Sequence, residues 1–142
     1  MKIGFTGTRD GMTPAQISTM AILFYELKMT ELHHGDCVGA DHNAHMLVCT
    51  RFPECLVHIY PPVQQDKRAM SHVETPCALI EFHPLKEYLE RDRDIVDACD
   101  CLIAAPKTEG EVRQSGTWYT IRYGWKSKKN VFVIAPDGTI SI

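Results

Sequence analysis

The chain lacks any apolar run of the roughly 18 residues that a membrane-spanning helix requires. Its first residues, Met1 to Phe5, lead into a strand-like pattern without the apolar segment of an export signal. It also lacks an excess of positive charge: 15 Lys and Arg stand against 18 Asp and Glu, a formal net charge of -3. There is therefore no global field to hold a long nucleic acid, although a local basic pocket remains open. Its six cysteines (37, 49, 55, 77, 99 and 101) contain no C-x-x-C pair. Internal repeats, low-complexity segments and linkers are absent too. These absences predict a soluble, cytoplasmic protein with no membrane partner, whose cysteines are thiols in a reducing compartment. What is present is an ordinary globular composition, 44% hydrophobic and 23% charged over 142 residues, which fits one domain spanning residues 1–142.

Hydrophobic periodicity divides the chain into alternating strands and helices. Lys2 to Thr6 reads as a strand. Thr13-Pro14-x-Gln16 supplies an N-cap, an N1 proline and a capping-box partner for an amphipathic helix over residues 14 to 28. Glu31 to His34 is a short strand, and the following helix turns Ala40, Ala44, Leu47 and Val48 inward. Leu56 to Tyr60 is a third strand, and residues 63 to 77 are a polar, lid-like loop. Ala78 to Phe82 is another strand. A helix over about residues 84 to 99 is marked by Leu85, Tyr88, Leu89, Ile95, Val96 and Cys99, with Asp92 projecting into that stripe and Arg91 and Arg93 on its flanks. Cys101 to Ala105 is a strand, Ser115 opens a helix to about Trp125, and Val131 to Ala135 is the last long strand before an Asp137-Gly138 turn. The pattern predicts an α/β Rossmann-like, doubly wound and mostly parallel sheet, with helices on both faces and a C-terminal edge hairpin.

Ligands of such sheets bind beyond the carboxyl ends of the strands, and three loops there have suitable chemistry. Thr6-Gly7-Thr8-Arg9 offers small residues, hydroxyls and a guanidinium for phosphate or carboxylate, and is also readable as a plain tight turn. Gly35 and Gly39 allow a sharp turn that exposes N–H groups to an anion, with Asp36 and Asp41 placed for ribose or base; a structural Asp41–His45 pair bracing the loop is an equal reading. Ser115-Gly116-Thr117 combines free N–H groups, hydroxyls and the positive end of a helix dipole. No G-x-G-x-x-G, P-loop or G-x-S-x-G motif is present. His33, His34, His42 and His45 with Cys37 invite a zinc reading, yet their spacings match no finger pattern, and no metal or cofactor is expected.

Three blocks together resemble the SLOG superfamily, the Rossmann-like group that includes DprA and the Lonely Guy phosphoribohydrolases, and most of all its small YspA/cpYpsA-related members. They are Gly4-Phe5-Thr6-Gly7-Thr8-Arg9, then His34-Gly35-Asp36-x-x-Gly39-Ala40-Asp41-x-x-Ala44-His45, then Arg91-x-Arg93 with Asp100 and Ser115-Gly116-Thr117. The resemblance implies a pocket for a nucleotide-derived small molecule (a nucleoside phosphate, an ADP-ribose or NAD derivative, or a cyclic signalling nucleotide) bound for sensing or sequestration. Thr6, Gly7, Thr8, Ser115, Gly116 and Thr117 would hold phosphate, Arg9 and Arg91 would supply charge, and Gly35, Asp36, Gly39 and Asp41 would complete the site. It implies two alternatives as well. One is hydrolysis of an N-glycosidic bond, for which Arg91, Asp36 and Asp92 are candidate catalytic residues, with Glu109 and Glu111 as further carboxylates; Thr120 occupies the position of the family's glutamate. The other is binding of single-stranded DNA through Arg9, Lys107, Arg113 and Arg122 with Trp118 and Tyr119. A homo-oligomer formed through the Trp118 and Trp125 helix, and a bacterial or phage source, complete these expectations.

Overall fold

In the computed structural model, residues 1–74 and 79–142 are described. Strands β1 (Lys2–Gly7), β2 (Glu31–His34), β3 (Leu56–Ile59), β4 (Ile80–Phe82), β5 (Cys101–Ala105), β6 (Asn130–Ile134) and β7 (Ile140–Ser141) form one sheet in the order β4-β3-β2-β1-β5-β6-β7. All neighbours pair in parallel except β6 and β7, which form the expected antiparallel edge. Between them run α1 (Pro14–Glu26), α2 (Ala40–Arg51), a 3₁₀ turn (Gln65–Lys67), the four-residue α3 (Ser71–Glu74), α4 (Tyr88–Ala98) and α5 (Gly116–Lys126). No described helix is long and apolar enough to cross a membrane.

Strand parity builds two cores. Ile3, Phe5, Leu32, Val57, Ile59 and Ile103 face Met20, Phe24, Ala44 and Val48 of α1 and α2. Leu102, Ala104, Val131 and Val133 face Val96, Trp118 and Ile121 of α4 and α5 on the other side. The capping box of α1 forms as its sequence requires. Gln16 goes further: its buried Nε2 donates to the Pro106 and Ile134 carbonyls, both at 2.9 Å, fixing the ends of β5 and β6.

Two boundaries differ from expectation. Helix α4 starts at Tyr88 rather than near residue 84, and Leu85 and Leu89 are 51% and 43% exposed. The segment after β3 is not uniformly irregular, because Asp36 pins it: the buried carboxylate accepts from Arg68 Nε at 2.9 Å and Ser71 N at 3.0 Å, and the Asp36 carbonyl accepts from Ala69 N at 2.7 Å. Positions 75–77 of the expected loop, and Ala78 of the expected strand, lie outside the described residues. Cys37, Cys55, Cys99 and Cys101 are buried free thiols. Cys49 is disulfide-bonded, which corrects the expectation for that residue; Cys77 lies outside the described residues.

The sheet order reverses between β1 and β5. From β1 the chain leads through α1 towards β2, whereas β5 lies on the opposite side of β1 and is followed by α5. A crevice at their carboxyl ends is the topological consequence.

Candidate functional site

A cleft of about 570 Å³ opens at this point, within the size range of small-molecule sites. Its walls are Gly7, Thr8, Arg9 and Asp10 after β1, Lys107 and Thr108 after β5, and Gln114 to Trp118 at the start of α5, closed by Gln64, Lys67 and Tyr88. Ser115 caps α5, its hydroxyl accepting from Trp118 N at 3.2 Å. The first N–H groups of a helix have no partner within it, so those of Gly116 and Thr117 are donors at the cleft wall. Arg9, Lys67 and Lys107 stand there against one carboxylate, Asp10, which pairs with Lys107 at 2.8 Å. The local field is positive although the chain is acidic overall, which favours an anion.

Thr8 contributes less than its sequence suggests. Its N–H donates to the Ala105 carbonyl at 3.1 Å and its hydroxyl oxygen accepts from Asp10 N at 3.2 Å. The hydroxyl proton is what it has left for a ligand. Thr6 does not reach the cleft and lines a small chamber behind it.

The structure separates the rest of the expected constellation from the cleft. Gly35, Asp41, Arg91 and Asp92 lie in that chamber, whose free space is about 10 Å³, too small for a ligand. Tyr88 lines both spaces and stands between them. The Arg9 and Arg91 guanidiniums lie over its ring at 5.1 and 4.9 Å, within cation–π reach. Its hydroxyl presses so closely on Gly116 that any Cβ there would collide with it.

Arg91 is a strut. Its Nη1 donates to the Gly35 carbonyl at 2.7 Å and to Cys37 Sγ at 3.3 Å, and its Nη2 donates to Asp92 Oδ1 at 3.1 Å. Burial works against its charge, but Asp92, Cys37 and Asp41 outweigh burial and hold its pKa above the ordinary value. The carboxyls around it respond to the same environment. Burial pushes Asp41 up to about 7, against the pull of Arg91 and the Cys37 N–H. Burial likewise lifts Asp92 to about 6, with Arg91 and Thr120 opposing. Asp92 Oδ2 has no hydrogen-bond partner, because the neighbouring Thr120 hydroxyl gives its proton to the Gly116 carbonyl at 3.0 Å.

Four N–H groups between Gly35 and Ala40 are already engaged within the protein. Asp36 N donates to His34 Nδ1, Cys37 N to Asp41 Oδ2, Val38 N to the Lys67 carbonyl and Ala40 N to the Thr8 carbonyl. Gly39, at φ +92°, lies against the Thr8 and Arg9 backbone where a side chain would clash. These glycines bring two loops together, and the donors are used in doing so. Asp36, expected at ribose or base, is engaged by Arg68 and Ser71, which together outweigh burial and lower its pKa.

The histidines weighed and set aside as zinc ligands divide between the two faces of the sheet. His34 Nε2 and His45 Nδ1 meet at 3.0 Å, and His42 Nδ1 meets Ser71 Oγ at 2.9 Å. His33 points to the other face of the sheet, where it meets His58, a partner that sequence analysis missed. The i, i+2 pairs Glu31/His33 and Glu81/His83 were the available signal.

No family model matches this sequence, and no curated protein matches it. Two solved structures are similar to it. DNA processing protein A (DprA) from Streptococcus pneumoniae superposes with a TM-score of 0.67 at 18% identity, covering 93% of this chain and 49% of that one. The chain shares the α/β Rossmann-like fold of this structure. TM1055 superposes with a TM-score of 0.51 at 17% identity, covering 92% of this chain and 71% of that one. The chain thus spans about half the length of the DprA structure.

Proposed function

We propose that the cleft binds the phosphate-bearing part of a nucleotide-derived small molecule, for sensing or sequestration. One observation carries the reading: three cations, the Thr8 hydroxyl and the unpaired N–H groups of Gly116 and Thr117 converge on one cleft at the switch point of the sheet. In this reading Ser115, Gly116 and Thr117 receive phosphate and Arg9, Lys67 and Lys107 neutralise it. Arg91, Gly35, Asp36, Gly39 and Asp41 shape the wall from behind.

The test incubates the purified chain with nucleotides, NAD and ADP-ribose derivatives and analyses bound and free fractions by mass spectrometry. Retention of an unmodified phosphate-bearing compound, lost about tenfold (~1.4 kcal/mol) when Arg9 and Lys107 are both replaced by Ala, is the expected result. No retention of any member overturns the reading, and release of free base or ribose phosphate reclassifies the protein as a hydrolase. A second reading, single-stranded DNA binding, draws on the likeness to the DNA processing protein DprA and on the basic cleft beside Trp118. Its sign is oligonucleotide affinity that falls steeply with salt. Self-association is proposed through Trp125, which is 46% exposed; Trp118 is buried, so only one end of α5 is available for it.

A further inference from the structure

On the face of the sheet opposite α1 and α2, helices α4 and α5 pack chiefly over β1, β5 and β6. The other half of that face, on β2, β3 and β4, carries a row of histidines and glutamates where a core would be apolar. Parallel register places His33 of β2 beside His58 of β3, and His58 beside Glu81 of β4. Glu31 and His33 are i, i+2 on one strand and therefore share a face.

The His33 and His58 rings stack at 3.9 Å with 9° between their planes. Their Nε2 atoms converge on the same carboxylate oxygen, Glu31 Oε1, each at 2.9 Å. The far nitrogens are both engaged: His33 Nδ1 meets the Tyr60 hydroxyl at 2.8 Å, and His58 Nδ1 meets His83 Nε2 at 2.9 Å. Such contacts fix ring orientation and tautomer in metal-binding histidines. His58 is more than nine-tenths buried, yet its Nε2 has no hydrogen bond, because its approach to Glu31 is off the hydrogen-bonding angle. A buried ring nitrogen thus stands without a hydrogen bond beside a second ring nitrogen and a carboxylate oxygen.

We propose that Glu31 Oε1, His33 Nε2 and His58 Nε2 form a binding site for a divalent first-row transition cation. The donor set, two imidazoles and one carboxylate, is one that such cations take. Each ring nitrogen lies 2.9 Å from the carboxylate oxygen, so each nitrogen and that oxygen subtend about 90° at a cation ~2.0–2.1 Å from both. The Glu31 carboxylate, 23% exposed, leaves a path from solvent. His83 approaches His58 through its other nitrogen, Nδ1, at 2.9 Å and orients it there; the exposed Glu81 stays 3.6 Å from that nitrogen, beyond hydrogen-bond reach. None of these three residues lines the proposed anion cleft, and the site does not depend on it.

The experiment uses the tag-free, chelator-treated full chain titrated with Co²⁺ followed by visible absorption, and with Zn²⁺ followed by calorimetry and thermal melting. One equivalent of either cation is expected, with a melting temperature that rises with Zn²⁺ concentration. Glu31→Gln, at the solvent edge, is the variant least prone to misfold, and its circular dichroism is checked. It and His33→Gln are expected to weaken binding at least a hundredfold, and Tyr60→Phe about tenfold through loss of ring orientation. Glu81→Gln is expected to stay within threefold. Absence of binding overturns the proposal and leaves a hydrogen-bonded histidine ladder. So does binding that Glu31→Gln leaves intact, that is abolished by Glu81→Gln, or that shows a thiolate charge-transfer band.

Discussion

Replacing Arg91 by Met tests whether this arginine is the ligand-binding group that the resemblance implies or the buried strut that the geometry describes. Methionine keeps most of the aliphatic volume and removes the guanidinium, with its bonds to the Gly35 carbonyl, Cys37 Sγ and Asp92. Asp92 and Asp41 then remain buried without their cation. Breaking a buried pair from one side costs roughly 3–5 kcal/mol. For a chain of 142 residues, an unfolding entropy of ~2.1 cal/mol/K per residue converts that to a fall of about 10–17 °C in Tm. The cost depends on pH with a definite sign. Without Arg91 the two carboxyl pKa values, already raised to about 7 and about 6, rise further, and the folded variant holds protons that the unfolded chain has lost. Its stability is then greatest at low pH and is lost as pH rises, so the deficit relative to the native protein is larger at pH 8 than at pH 5. Thermal melts by circular dichroism at both pH values give these numbers, and nucleotide binding is measured at pH 5, where the variant is more fully folded. Affinity within about threefold of native is expected, because Tyr88 separates Arg91 from the cleft. A Tm within 3 °C of native combined with collapsed affinity would refute the strut and place Arg91 at the ligand.

Two further outcomes follow from buried carboxylates. Asp36→Ala removes the acceptor of Arg68 Nε and Ser71 N and is expected to cost about 3 kcal/mol, with faster proteolytic cleavage between residues 63 and 74; an unchanged cleavage pattern would show that the segment is held by other contacts. Asp41 has a folded pKa of about 7 against an ordinary 3.8, so its contribution to stability is present below pH ~4 and lost as pH rises through 7. The stability advantage of the native protein over Asp41→Asn in urea melts should therefore narrow by about 1 kcal/mol or more between pH 5 and pH 8, and a pH-independent gap would mean that Asp41 is ionised throughout.

The fold was legible because its signals are local and periodic. The Thr13/Gln16 box, the apolar stripe of α1 and the apolar runs of β5 and β6 each determine their element without reference to the rest of the chain. Inward placement of Asp92 also followed from helical period alone. What periodicity cannot say is which partner a polar group finds. Gly35-Asp36-x-x-Gly39 has the composition of an anion-binding turn, but whether its N–H groups face a ligand depends on the carbonyls of Thr8 and Lys67, which come from other loops. Arg91 was expected on a flank of α4. It turns inward because Gly35, lacking a Cβ, leaves room for its Nη1, a fit between residues 56 apart in sequence. The Glu31–His33–His58 group needs the parallel register of two strands before it becomes visible.

Carboxylate placement separates a binder from a hydrolase. Acid–base cleavage of a glycosidic bond needs a carboxyl within hydrogen-bond reach of the reacting atoms. Among the described residues, Asp10 is the carboxylate lining the cleft, and it is paired with Lys107. Asp36 is held by Arg68, and Glu111 is paired with Arg122 away from the cleft. Beside the Thr120 hydroxyl, the carboxyl of Asp92 lies behind Tyr88 with one oxygen unpaired. With a pKa near 6 that group has the proton affinity of a general acid or base, but not the access. Tyr88→Ala removes the partition and joins the chamber to the cleft. If the protein is a binder, the variant retains nucleotides more weakly and releases no free base. Free base from the variant alone would mean that the ring blocks a competent carboxyl. Free base from the native protein, abolished by Asp92→Asn at unchanged Tm, would mean that Tyr88 swings aside during turnover and that the partition is a gate.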